Sequence, residues 1–212
     1  MHIFVRRLSA SLICCIISLI FANPVKSQAI SAEQILEKTA SLIKNSVGIA
    51  ADFTISVNDN TGKGTVRGSG KKFSVMLPDV KVWYNGTDMY TYNSHSRETT
   101  VINPTNEELN ETNPLLYVNL YKGKYKAAYS SGKAAGKYLI ELTPAGKTQD
   151  FRKLVFTINS TDYYPEKIVA EMRNGNKITI SITSFKTNVG LKSSDFEYPE
   201  KSYPGVEVID LR

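Results

Sequence analysis

The 212-residue chain holds two cysteines, two histidines and one tryptophan, and each scarcity excludes a class of chemistry. Cys14 and Cys15 both lie in an apolar run, Leu8 to Ala22, behind Arg6 and Arg7 and ahead of the polar stretch from Asn23 to Gln28. That order of charge, apolar core and polar exit is the pattern of a secretory leader, and the run falls short of the ~20 residues a membrane-spanning helix needs. Ile13 before Cys14, and more apolar chain after both cysteines, argue against a lipid-attachment site. Cleavage is expected after Ser27. The remaining chain, 28–212, then carries no cysteine and so has neither disulfide nor thiol chemistry.

Residues 1–27 hold Arg6, Arg7 and Lys26 and no acid. Without them, 23 basic residues face 20 acidic ones, a net charge of +3 over 185 residues. That length suits one domain with its own core. The charge is modest and no basic-aromatic motif accompanies it, so nucleic acid is not an expected partner.

Catalytic patterns are equally sparse. His95, the one histidine after the leader, stands between Ser94 and Ser96, in turn chemistry rather than beside a nucleophile. One histidine and no cysteine leave a metal without its usual ligands. Gly146-Lys147-Thr148 has Glu141 where a phosphate loop needs its first glycine. Arg67 spoils the spacing of a nucleophile elbow at Gly68-Ser69-Gly70. The reading is a non-enzyme that needs no cofactor.

What is abundant is alternation. Ile49, Ala51, Phe53, Ile55 and Val57 occupy every second position, as do Phe73, Val75 and Leu77. A period of two marks strands with one apolar face. The sequence predicts a long hairpin from Val47 to Pro78, reversing at Asp59-Asn60-Thr61-Gly62. Ahead of it, Ser31-Ala-Glu-Gln34 forms a capping box for a helix with Ile35, Leu36, Thr39, Leu42 and Ile43 on one face.

Asn85-Gly86 predicts a hairpin between Val80–Tyr84 and Thr87–Tyr92, with a further strand at Arg97–Ile102. Asn103-Pro104 and Asn113-Pro114 predict two short capped helices, the second carrying Leu115, Leu116, Tyr117, Val118 and Leu120. Strands follow at 125–130, 138–143, 151–158, 166–172 and 177–185, the last alternating through Ile178, Ile180 and Ile182. The fold class is mainly β with added helices (α+β): one large antiparallel sheet, curled or barrel-like. The basic stretch 122–153 reads either as a solvated edge or as a dock for acidic groups. Phe53, Phe73, Trp83, Tyr90, Tyr92, Met76, Met89 and Met172 load the sheet with apolar bulk. The helices either plug its concave face as ordinary core or lid a cavity there, and periodicity by itself favours plain core.

The order of motifs resembles the LolA family of periplasmic lipoprotein carriers. The stretches concerned are Ile49-Ala-Ala-Asp-Phe53-Thr after the helix, a strand ending at Pro78, Asn85-Gly86 through Tyr92-Asn, Asn113-Pro114-Leu-Leu116 and Leu142-Thr-Pro144. The tail Asp195-Phe-Glu-Tyr-Pro199 with Pro204-Gly-Val-Glu-Val-Ile-Asp210 completes the likeness. The resemblance implies an unclosed β-barrel, strongly curved and lidded by the N-terminal helix and the short central helices over a hydrophobic cavity. It implies a monomer that takes the acyl chains of lipoproteins from an inner-membrane release complex to an outer-membrane acceptor.

On that basis the cavity wall and lid comprise Leu36, Ile43, Phe53, Ile55, Phe73, Val75, Trp83, Tyr90, Tyr92, Leu115, Leu116, Leu120, Met172 and Ile180. Leu77 stands where the family has an arginine that helps tie lid to barrel, and the short segment between Pro78 and Asn85 implies a less complete barrel. A lipid-binding protein without the trafficking role and an envelope lipoprotein sensor are the alternatives.

Overall fold

The computed structural model describes residues 29–58, 60–123, 125–132, 134–146 and 151–212. The expected leader and its cysteines, Asp59, and Lys124, Lys133 and Lys147 of the basic stretch lie outside these.

Helix α1 (Ala32–Asn45) starts where the capping box puts it. The Ser31 hydroxyl accepts from the Gln34 amide at 3.2 Å, and the Gln34 side chain accepts from the Ser31 amide at 2.8 Å. Two donors that a helix start leaves unpaired are thereby satisfied. Ile35 and Leu36 are fully buried, each contributing roughly 1.5–3 kcal/mol of apolar burial.

Six strands precede the next helix: β1 (Ile49–Val57), β2 (Asn60–Ser69), β3 (Lys72–Met76), β4 (Val80–Tyr84), β5 (Met89–Asn93) and β6 (Glu98–Ile102). Helix α2 (Asn106–Thr112) and a 3₁₀ helix (Pro114–Asn119) come next. Five strands then run on: β7 (Tyr125–Tyr129), β8 (Lys137–Pro144), β9 (Phe151–Asn159), β10 (Pro165–Met172) and β11 (Lys177–Thr187). Two short 3₁₀ turns (Ser193–Phe196, Glu200–Ser202) lead to β12 (Glu207–Asp210).

All twelve strands form one curved sheet in the order β12-β6-β5-β4-β3-β2-β1-β11-β10-β9-β8-β7. The β1–β11 pairing joins a first run of hairpins to a second. With β12 at one edge and β7 at the other, the sheet does not close into a barrel.

The expected hairpin from Val47 to Pro78 is in fact three strands. The reversal falls after Val57, which pairs with Asn60, so Asn60, Thr61 and Gly62 already belong to β2. Asn58 takes φ 45° there, a left-handed conformation that asparagine tolerates. Glycine hid β2 from the alternation for a packing reason. A Cβ on Gly64 would lie 2.5 Å from the Phe53 ring and 2.8 Å from Leu77, so the bare backbone is what lets Phe53 lie across β2.

Other departures have local causes. Thr105, not Asn103, caps α2, because Glu108 completes a capping box with it; Asn103 donates instead to Asp88 at 2.8 Å. The short segment after Pro78 still holds a full strand, β4, paired on both sides. The sheet is not wholly antiparallel, since β12 runs parallel to β6. The tail reaches that edge by crossing the outer face, over β4 and β5.

The connection from β6 to β7 starts beside one edge of the sheet and ends at the other. It therefore straps α2 and the 3₁₀ helix across the concave face. Asn113 caps the 3₁₀ helix by accepting from the Leu115 amide at 3.0 Å, with Pro114 in the first turn. Two apolar clusters lie beneath. One packs Ile35, Leu36 and Val118 onto Ile140, Leu142, Leu154, Phe156 and Ile158. The other gathers Ile49, Phe53, Val66, Phe73, Val75, Val82 and Tyr84 around Leu115. Ile43 and Ile180 touch both.

Candidate functional site: a lidded cavity at the seam of two cores

Between the two clusters the packing opens. A cavity of about 520 Å³ lies between α1, the 3₁₀ helix and the β2–β3 hairpin. Its apolar lining is Ala40, Ile43, Ile49, Leu115 and Leu116, with the bare backbone of Gly68 in one wall. A second, small void of about 30 Å³ lies deeper, lined by Ala51, Phe53, Val66, Val118, Ile168, Ile180, Ile182 and Phe185, among others. It has room for about two waters and offers them almost nothing polar, so water gains little by entering.

Ile43 and Leu115 line both spaces. They form the partition between an outer chamber open to solvent and an apolar inner one. Leu115 seats closely on β2: a Cβ at Gly68 would lie 2.9 Å from its Cδ1. The inner wall is bent by a bulge, because Ala51 faces Phe185 whereas Phe53 faces Ile182. Thr183 falls out of register there and donates its hydroxyl to the Asp52 carbonyl at 3.1 Å. A bulge of this kind sharpens strand curvature. It also returns Phe185 to the face of Ile178, Ile180 and Ile182 despite the spacing of three.

The residues expected to form the cavity separate into four groups. Ile43, Phe53, Leu115, Leu116 and Ile180 line the two spaces. Leu36, Phe73 and Val75 are packed solidly inside the clusters, with Ile55 and Leu120 at their margins, and none of these lines either space. Met172, at the end of β10, joins neither cluster.

Trp83, Tyr90 and Tyr92 require a correction, since they occupy the opposite face. In β4, Val82 and Tyr84 point to the concave core, which sends Trp83 outward by alternation. There the tail covers it: the Trp83 ring lies 5.5 Å from that of Tyr198 and 5.8 Å from that of Tyr203. Tyr90 stacks on Tyr198 at 5.5 Å, and Tyr92 lies 4.6 Å from Tyr203. These rings pin the C-terminal segment to the outside of the sheet.

The lid is tied between α1 and the turn that follows the 3₁₀ helix. Glu37 of α1 accepts from the Tyr121 hydroxyl and forms an ion pair with Lys122 at 2.9 Å. Leu77, where an arginine tie was absent, packs instead as an apolar residue at the edge of the Phe53 cluster. The Tyr121 hydroxyl and the Lys122 ammonium hold the Glu37 carboxyl below its ordinary value of 4.5. A lowered carboxyl pKa means the tie is intact above the ordinary carboxylate range and is lost as pH falls through and below it. Amide protection factors in 114–121 are therefore expected to fall on acidification below about pH 4.5, and Glu37→Gln should remove that dependence. Equal acid loosening in both proteins would place the cause elsewhere.

The basic stretch is largely neutralised where it is described. Lys137 pairs with Glu166, Arg152 with Glu171, and Lys153 with both Glu141 and Glu171. His95 stands on an exposed turn, 4.0 Å from Asp79. Among the described residues no group of three or more His, Cys, Asp or Glu could hold a metal ion. Nor is any described helix long and apolar enough to cross a membrane.

A sequence profile described as outer membrane lipoprotein carrier protein LolA matches residues 23–176. No curated protein matches the chain by sequence. Among solved structures, an uncharacterized conserved protein from Thermus thermophilus is similar in fold over 84% of this chain and 98% of its own, with a TM-score of 0.58 at 11% identity. A LolA superfamily protein from Nitrosomonas europaea aligns over 81% of this chain and 100% of its own at 13% identity, TM-score 0.42. A putative outer membrane lipoprotein-sorting protein domain from Vibrio parahaemolyticus aligns over 81% and 97% at 11% identity, TM-score 0.46.

Proposed function

Because the chain belongs to the family of outer membrane lipoprotein carrier protein LolA, we propose that it carries acyl chains of lipoproteins across the periplasm. The observation that carries this reading is the partition made by Ile43 and Leu115. An outer chamber of about 520 Å³ is within the ~300–1,000 Å³ typical of ligand sites. Behind it lies an inner void walled by Phe53, Ile168, Ile180, Ile182 and Phe185, too small for a chain as it stands. Lifting the 3₁₀ helix off Gly68 joins the two into one slot, apolar along Ile43, Ile49, Leu115 and the inner wall and polar toward Ser41, Ser69 and Asn119.

Burial in such a slot stabilises an alkyl chain by about 0.8 kcal/mol per CH₂. A lid with open and closed states then lets affinity differ between loading and delivery. The carrier domain spans 28–212 and follows a leader removed at Ser27. Its partners are an inner-membrane release complex that supplies the acylated lipoprotein and an outer-membrane acceptor that takes it, and the work needs no catalytic step.

Incubation with inner-membrane vesicles holding labelled triacylated lipoprotein and the release machinery should yield a soluble, equimolar complex. If free fatty acids bind but no such complex forms, the protein is a general lipid binder and the lipoprotein reading fails. Leu116 is only half-buried, so Leu116→Glu should fold normally. It should nevertheless lower Nile red uptake at least ten-fold, because a carboxylate in the outer chamber opposes an apolar guest. Unchanged uptake would remove that chamber from the binding path.

A further inference from the structure

The outer chamber is walled in part by a buried polar group that no described residue answers. Asn113 joins α2 to the 3₁₀ helix, lines the chamber and is only 7% exposed. Its other polar atoms are all in use. The Asn113 amide donates to the Leu109 carbonyl at 3.0 Å, and its carbonyl accepts from the Leu116 amide at 3.0 Å. The side-chain oxygen accepts from the Leu115 amide at 3.0 Å, which leaves the NH₂ arm of the carboxamide, with its two donors. Among the described residues that arm has no acceptor. A buried donor left unpaired is costly, and native proteins leave few of them. Here it belongs to the wall of a space large enough for a guest.

We propose that the Asn113 carboxamide donates to the carbonyl of an ester or amide, and so selects chains attached through an acyl linkage over chains attached through an ether. The inference rests on the acyl-carrier reading and adds the point of attachment to it. Asn113 stands two residues before Leu115, the side chain that divides the outer chamber from the inner void. A carbonyl held there sends its alkyl chain past the partition toward Phe53, Ile180 and Ile182. Its glyceryl or peptide side stays in the outer chamber, beside Ser41, Ser69 and Asn119. Desolvation makes the selection. A guest that fills the chamber shuts water out from the Asn113 NH₂; an ester or amide oxygen replaces the lost bond, and an ether-linked methylene leaves the donor unpaired. No charge is needed, which suits an uncharged linkage.

Displacement of Nile red by neutral twelve-carbon amphiphiles, below their micelle-forming concentrations, reads the preference directly. Glyceryl monododecanoate and dodecanoyl ethanolamide should displace the dye about ten-fold more tightly than glyceryl monododecyl ether, the margin of one hydrogen bond to a buried donor. The glyceryl ester and ether differ only in a C=O or a CH₂ beside the linking oxygen. The margin should hold as salt rises, because no ion pair carries it. A margin for one linkage alone supports the inference and names the linkage held. In the unaltered protein, the Asn113 side-chain NH₂ resonances should move downfield on titration with the ester and not with the ether.

Asn113→Asp keeps an oxygen for the Leu115 amide and loses both side-chain donors, so the 3₁₀ helix stays capped while the margin should vanish. Asn119→Ala removes a carboxamide from elsewhere in the same chamber and should keep the margin. Equal displacement by ester, amide and ether overturns the linkage inference while leaving the carrier reading intact. So does survival of the margin in Asn113→Asp, its loss in Asn119→Ala, or an Asn113 NH₂ unmoved by the ester. Failure of every chain to displace the dye overturns both readings.

Discussion

Phe156→Ala is expected to cost about 5 kcal/mol of stability and Phe53→Ala about 3 kcal/mol, though both remove the same side chain. The cost of a large-to-small change grows with the cavity left behind, and so with how poorly the surroundings collapse into it. Phe156 is fully buried among Ile140, Leu142, Leu154 and Ile158 under α1. Those neighbours come from β8 and β9, which are paired on both sides, and they cannot close a ring-sized hole. Phe53 is 5% exposed and already borders a void. Across from it are Gly64, with no side chain, and Leu77 at the margin of the cluster, so the wall there can yield. Urea unfolding of both variants checks the pair. Equal losses would mean that the two halves of the sheet are equally rigid, and a soft binding half would have to be given up.

Leu115→Ala separates wall from partition. The truncation should lower stability by about 2–3 kcal/mol, the low end for leucine, because the site already adjoins open space on two sides. It also removes the group that seats the 3₁₀ helix on Gly68 and divides the two spaces. Nile red should therefore enter faster and bind at least as tightly in a less stable protein. A fall in affinity that tracks the loss of stability would make Leu115 ordinary wall. Stability and uptake moving in opposite directions is the mark of a partition.

Local chemistry was readable in the chain where a short motif dictates backbone geometry. The capping box at Ser31 and the Asn113-Pro114 start of the 3₁₀ helix both stand as their residues require. Alternation placed β1 and β11, and the ordered motifs identified the unclosed sheet. Strand β2 escaped because its glycines make room for side chains of neighbouring elements: Gly64 for Phe53, Gly68 for Leu115. Those partners are distant in sequence or belong to another strand, so composition alone reads as turn.

The aromatic residues of β4 and β5 went astray for a different reason. Trp83 and Tyr90 have the opposite parity to Val82, Tyr84 and Met89. Parity was legible, but it shows only that both faces are apolar; the tail that covers the outer one runs a hundred residues later.

The central claim is that an alkyl chain enters behind the lid at the seam between the two cores. Methyl NMR of the mature protein during titration with dodecanoate tests it most directly. Resonances of Ile43, Leu115, Ile180 and Ile182 should shift together and saturate, while Ile140 and Leu154 in the packed half stay in place. Shifts confined to the packed half, or to Val208 and Ile209 beside the tail, with Ile43 and Leu115 unmoved, would contradict it.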